Sequence, residues 1–257
     1  FTGAEVTPEA IAAKEAARAA AVRAAETAKV VAPYLAIAAF MALIAVVIAA
    51  TRLPDAQRGT GASRTGAWAV LRGSRRLQAA VVAQFFYVAG QVGVWSFFVD
   101  FVKDQTPTVS ERDAALLLTA TLALLTIGRF AGATLGRRVA PHRLLAIYAA
   151  ANVLLCGVAS TLAGPVAVGA LLLTSFFMSI MYPTIFVLGI ERLGPARDIG
   201  AGFLVMAIIG GAAAPPVIAA IADAAGRVHA AMLVPAGCFA VVLAFALAAP
   251  GLDRTVR

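Results

Sequence analysis

The sequence predicts an all-α integral membrane protein with seven transmembrane helices. Three observations carry this. Only 13% of the 257 residues are charged while 61% are hydrophobic, and mean hydropathy is +0.90; soluble domains carry roughly 25% charged residues. Seven apolar runs, 30–51, 77–99, 114–135, 144–163, 165–190, 199–222 and 230–250, reach about the 20 residues that a bilayer core requires. The two-residue alternation of strands is missing, and Ala and Leu outnumber the β-branched residues.

Each element follows in order. The chain starts at Phe1 without a signal-peptide pattern and reads as a piece of a longer protein. Residues 1–29 are Ala-rich with mixed charge (Glu9, Lys14, Glu15, Arg18, Arg23, Glu26, Lys29), and Thr7 before Pro8 marks a helix start. A loop helix outside the membrane is expected there. Residues 30–51 form the first membrane helix. The link 52–76 carries Arg52, Arg58, Arg64, Arg72, Arg75 and Arg76 against Asp55, and its Gly, Ser and Thr content marks a boundary. The six remaining runs make one bundle over 77–250, and residues 251–257 form a tail.

Loop charge sets the orientation. The link 52–76 and the turn with Arg137, Arg138 and Arg143 are arginine-rich, whereas Asp100, Asp104, Glu111 and Asp113 outweigh Lys103 and Arg112 on the alternate side. Basic loops face the cytoplasm, so the C-terminus is expected inside and the protein in the cytoplasmic (inner) membrane. The net charge of +8 is therefore orientation charge, and no nucleic-acid partner is expected. Cys156 and Cys238 both lie within apolar runs without metal spacing, so free thiols, no metal and no cofactor are expected.

Two runs carry polar lines. In 165–190, Ser175, Ser179 and Tyr182 are spaced four and three apart and share a helix face, and Pro183 follows at once. Proline there removes a donor and presses on the Ser179 carbonyl, which favours a kink. The hydroxyls can line a cavity or bond to their own backbone. In 77–99, Gln84, Tyr87, Gln91 and Trp95 fall on one stripe. Amides are costly in lipid, so the stripe faces protein or water. Amides suit sugar hydroxyls and flat rings stack on sugar rings, although interhelical glue is the alternative use. Both runs open a set of three helices, which is how transporter halves are built around a central site.

The run 199–222 holds Gly210, Gly211, Pro215 and Pro216, which read as a hinge or as a static kink. Arg129, near the basic end of its run, is expected to snorkel and to anchor the loop with Arg137 and Arg138. No Asp or Glu lies within any run, so a titratable coupling group would have to come from outside this chain.

At this point the residues resemble a known family. FFMSIMYPTIFVLGIERLG, GFLVMAIIGGAAAPPVIAAIADAAG and LVPAGCFAVV resemble the last three helices of the L-fucose:proton symporter family, major facilitator superfamily sugar carriers that include glucose/galactose members. AQFFYVAGQVGVWSFFVDFV resembles the seventh helix, and IGRFAGATLGRRVAPHRLLAIYA the eighth and ninth. The resemblance implies helices six to twelve of that fold, a missing N-terminal transporter half that holds the proton-coupling acids, and a cavity lined by the seventh and tenth helices. It implies a hexose or 6-deoxyhexose substrate, a proton as coupling ion, and Tyr182 as a sugar contact, with Gln91 and Trp95 as further carry-overs. Met181 stands where the family often has an amide, and the acidic residue usual near Ala133 is missing.

The expected function is thus the C-terminal part of a secondary active sugar carrier, not an enzyme. A complete seven-helix receptor is the alternative. Lys14, Lys29 and Lys103 all lie outside the runs, which excludes a retinal Schiff base, and His142 and His229 lie at run ends on opposite sides, which argues against hydrolytic chemistry.

Overall fold

The computed structural model describes residues 18, 31, 33–47, 49–50 and 64–252. The helix expected over residues 7–29 and the tail 253–257 lie outside the described residues, apart from Arg18. Two compact units divide the chain, 1–60 and 61–257. In the first, α1 (Pro33–Val47) is a shorter apolar helix with exposed large side chains such as Tyr34, Phe40 and Val46. That exposure fits lipid as solvent.

The second unit is helical throughout its regular structure. It comprises α2 (Arg64–Gly73), α3 (Arg75–Ser96), α4 (Phe98–Gln105), α5 (Glu111–Leu135), α6 (Pro141–Thr161), α7 (Pro165–Met178), α8 (Met181–Ile190), α9 (Arg197–Met206), α10 (Gly210–Ala225) and α11 (Leu233–Ala248). Six spans in this unit are long and apolar enough to cross a membrane: α3, α5, α6, residues Pro165–Ile190, residues Gly194–Ala225, and residues His229–Ala248. Two of them are interrupted or extended by 3-10 turns, Gly194–Ala225 at Gly194–Ala196 and Ala207–Ile209, and His229–Ala248 at His229–Met232.

Local chemistry explains the boundaries. Ser74 caps α3 by accepting a hydrogen bond from the Leu77 amide at 3.1 Å, so Arg75 and Arg76 join the helix that the apolar run alone would start at residue 77. Ser110 caps α5 in the same way through the Asp113 amide. Pro141 and Pro165 open α6 and α7, where a missing amide hydrogen costs nothing. Gly226 closes α10 in the left-handed conformation, φ 67°. Part of the basic link is helical: α2 carries Trp68, whose ring lies 5.6 Å from that of Phe203 on α9.

The core sits around α3, which touches α8, α10 and α11; α6 lies against α7 and α11, and α5 against α7. Lipid tails are as apolar as leucine, so close packing rather than water exclusion holds such helices together. Glycines supply the closeness. A Cβ on Gly210 would run into the backbone oxygen of Phe85, and one on Gly132 into Ile180. α5 is the least buried span, with Phe130 74% exposed and Ile127 57% exposed.

Candidate functional site

The two polar lines meet. Tyr87 on α3 is buried and donates its hydroxyl to the Met178 carbonyl at 3.0 Å. Trp95, two turns further on, donates its indole N–H to Ser175 Oγ at 3.1 Å. The Tyr87 and Tyr182 rings meet edge to face, centroids 6.2 Å apart, and Tyr182 stacks on Phe186 at 6.4 Å. Stripe residues of α3 thus face the seam between α7 and α8.

That seam is a break in the membrane span. Ser179 ends α7 with a strained 3.4 Å bond from its amide to the Phe176 carbonyl, and the ordinary pattern resumes with Thr184 N–H on the Ile180 carbonyl at 3.1 Å. Pro183 is the third residue of α8, so the amide that would have served the Ser179 carbonyl is absent. Gly128 of α5 makes room for the break: a Cβ there would strike the Phe176 carbonyl and lie 2.6 Å from Ser179 Oγ.

An open cleft of about 620 Å³ adjoins the break, lined by Ser179, Tyr182, Pro183 and Thr184 on one wall and Arg129 and Gly132 on the other. Arg129 makes no ion pair among the described residues. A guanidinium presents five donors, a phenol both a donor and an acceptor. The rest of the lining is largely apolar, with Ala133, Leu144, Ile180 and Val187 among it. Arg137 and Arg138 lie beyond it, exposed, in the turn that follows α5.

Several polar atoms are buried without a partner. Both ends of the Gln84 amide, Asn152 Oδ1 and Ser179 Oγ make no hydrogen bond. Each such atom costs about 1–3 kcal/mol. Gln84 is fully buried; Gln91, two turns on, is half-buried with its amide free of any hydrogen bond among the described residues. Asn152 on α6 gives its amide to the Met181 sulfur at 3.3 Å, a weak acceptor.

The expected hinge residues fall into two settings. Pro183 stands directly after a break. Pro215 and Pro216 lie inside a continuous α10, and the turn that interrupts their span is at Ala207–Ile209, just before Gly210 and Gly211. Gly210 packs on the Phe85 backbone, and Gly211 on Val88 and Val92. Among the described residues, no group of three or more His, Cys, Asp or Glu could hold a metal ion.

Sequence reasoning missed three features. Arg129 shares a cleft with Tyr182, which its position near a basic loop concealed. Helix α3 ends at Ser96 and restarts as α4 after Phe97, without a proline to announce it. Asp104, Gln105 and His229, 125 positions apart at the extremes, come together at the end of the bundle away from the basic turn.

Six membrane-length spans, two of them broken, pack beside this largely apolar cleft, and their arrangement is that of a major facilitator superfamily transporter. A structural comparison agrees: the crystal structure of a single-site variant of the E. coli fucose:proton symporter matches with a TM-score of 0.75 at 40% identity, over 84% of this chain and 54% of that one. A second structure, a major facilitator superfamily transporter in the outward conformation, also has a TM-score of 0.75, at 38% identity over 95% and 58%. No protein-family model matches. In sequence, the chain is 41% identical over 222 residues to the L-fucose-proton symporter of Escherichia coli (strain K12), covering 83% of the chain and 50% of the relative. It is 34% identical over 220 residues to a glucose/galactose transporter of Brucella abortus biovar 1 (strain 9-941), covering 84% and 52%. Over the matched residues the chain is thus similar in both sequence and fold to fucose and glucose/galactose carriers, which are transporters and not enzymes. It spans about half the length of the curated relatives it matches.

Proposed function

We propose that the chain is the C-terminal part of a secondary active sugar carrier. A hexose or 6-deoxyhexose is moved with a proton across the cytoplasmic membrane by alternating access, the C-terminus lying in the cytoplasm. The observation that carries this is the meeting of two polar, ring-bearing helix faces beside the Tyr182–Arg129 cleft. Tyr182 is proposed as the ring and hydroxyl that meet the sugar, with Arg129 opposite it as a donor to sugar oxygens. Gln91 offers a free amide on the same stripe. Ser179, Ser175, Gln84, Tyr87 and Trp95 line or brace the site. The domain reading that accompanies this is one membrane helix over 30–51, a basic link and a six-helix bundle over 77–250.

The described spans support a carrier that borrows its acid. Asp100, Asp104, Glu111, Glu191, Asp198 and Asp223 all stand at helix ends. Proton coupling needs a titratable group at depth, and the relatives' remaining length is where an N-terminal half would supply it. The test is uptake of labelled hexoses into liposomes holding the full-length protein under an inward proton gradient. Uptake that competing sugars suppress and that collapses with the gradient is expected. Absence of any hexose uptake, or uptake indifferent to Tyr182→Ala and Arg129→Gln, would overturn the reading.

A further inference from the structure

We propose that Asp104, Gln105 and His229 form a proton-binding latch. It fastens the free end of α4 to the turn before α11, far from the Tyr182 cleft. The site lies where α4, the α6–α7 turn and the His229–Met232 turn converge. Gln105 Nε2 lies 2.9 Å from Asp104 Oδ2 and 3.3 Å from His229 Nδ1. His229 Nδ1 lies 3.4 Å from the same Asp104 oxygen. On its other side, Gln105 Oε1 accepts the Gly164 amide at 3.1 Å. The Asp104 and His229 side chains are 24% and 18% exposed, shielded but within reach of solvent protons.

The chemistry has two states. With the imidazole neutral and its proton on Nε2, Nδ1 accepts one N–H of the Gln105 amide, and Asp104 accepts the other. When a proton from solution binds at Nδ1, that nitrogen can no longer accept. Nδ1–H then donates to the Asp104 carboxylate, a charge-assisted bond. The proton therefore exchanges a neutral hydrogen bond for an ion pair between α4 and the turn. The ion-paired form holds the proton, so the latch tightens as His229 gains it and loosens as it is lost.

What the latch holds is a separable element. α4 is eight residues long and is cut from α3 at Phe97, where ψ is 8°. Phe98, Phe101 and Val102 bury its inner face, and the polar tie is at its last turn. Other charges near this end are accounted for. Lys103 pairs with Glu111 at 2.6 Å, and Asp100 is exposed. Arg112 and Asp113 lie on the first turn of α5, while Asp223 and Arg227 lie around the end of α10. α6 brings only Ser160 and Thr161 to this end, and α11 brings no charge. Among the described residues, Asp104 is the acid within ion-pair distance of His229.

The test uses the full-length protein in lipid nanodiscs without sugar, so it does not depend on what is carried. Backbone hydrogen exchange over residues 98–106, corrected for intrinsic rate, is read from about pH 8 to about pH 5. In the wild type, protection is expected to rise about two- to fivefold as pH falls. His229→Asn keeps a hydrogen-bonding side chain but does not titrate, and it should flatten the profile. Asp104→Asn, which removes the ion pair by another route, should do the same. Lys103→Gln should leave the pH dependence intact. A flat or inverted wild-type profile, or an unchanged rise in His229→Asn or Asp104→Asn, overturns the latch.

Discussion

Two proline-bearing spans of the bundle bend differently. In Pro165–Ile190 the helix breaks at Ser179–Ile180, and Pro183 falls in the first turn of the new helix. In Gly194–Ala225 the irregular turn comes at Ala207–Ile209, and α10 passes through Pro215 and Pro216 unbroken. The difference teaches that a proline alone does not set a bend: the first break falls at the Ser179 carbonyl that Pro183 leaves without a donor, whereas Pro215 and Pro216 leave α10 continuous, and in both spans neighbouring glycines receive the irregular turn. The first break is received by Gly128 and Gly132 of α5, and the second turn ends where Gly210 lies on the Phe85 backbone.

The strongest way to break this comparison is to fill the glycine contacts. Gly210→Val must push the α3 backbone away, because the atom it meets is the Phe85 carbonyl and not a mobile side chain. A loss of about 3 kcal/mol or more is expected, seen as failure to yield folded protein or a large drop in detergent melting temperature. Gly211→Ala meets only the Val88 and Val92 side chains, which can give, so a change within about 1 kcal/mol is expected. Equal effects from the two would mean that the close approach is not what fixes the turn.

A smaller effect separates the prolines. Pro215 is the sixth residue of α10, so Pro215→Ala restores an interior hydrogen bond to the Gly211 carbonyl and should stabilise by about 1–3 kcal/mol. Pro183 sits where a helix start tolerates proline, and Pro183→Ala should change stability by less than about 1 kcal/mol. Transport measured on the same variants sharpens the hinge question: slower uptake by Pro215→Ala marks a moving joint, and unchanged uptake marks a static kink.

The smallest expected effects test the seam between the stripes. Tyr87→Phe leaves the Met178 carbonyl without its donor, and Trp95→Phe does the same to Ser175. Each should cost about 1 kcal/mol. If both are additive, the contacts are independent; a shortfall in the double variant means that the two helices separate as a unit.

Much of the architecture was legible because lipid simplifies the code. Run length suffices to predict the six membrane-length spans of the bundle, and these helices match an experimental fold of a fucose:proton symporter. The polar stripe of α3 was legible for the same reason: amides and aromatics at helical spacing stand out against alanine and leucine. The helix start at Arg75 was less so, because it depends on a Ser74 cap and not on hydropathy. The α3–α4 break has no sequence signal at all. Phe97 is an ordinary apolar residue, and α4 beyond it packs against α5 and, more distant in sequence, α7. The Tyr182–Arg129 cleft and the His229 cluster join residues from distant helices, and no single-run periodicity can report that.

At the other end of the bundle, Arg76 at the foot of α3 donates from Nε to the Leu188 carbonyl at 2.7 Å and reaches Glu191 at 2.9 Å. A single guanidinium thus rivets the base of α3 to the last turn of α8. Elsewhere α3 meets α8 through the Tyr87–Tyr182 ring contact, and its lone hydroxyl and indole bonds go to α7. Relative movement between them therefore works like a pair of tongs: the jaws travel most at the tip farthest from the rivet, and a rigid slide of one rod along the other is ruled out unless the rivet lets go.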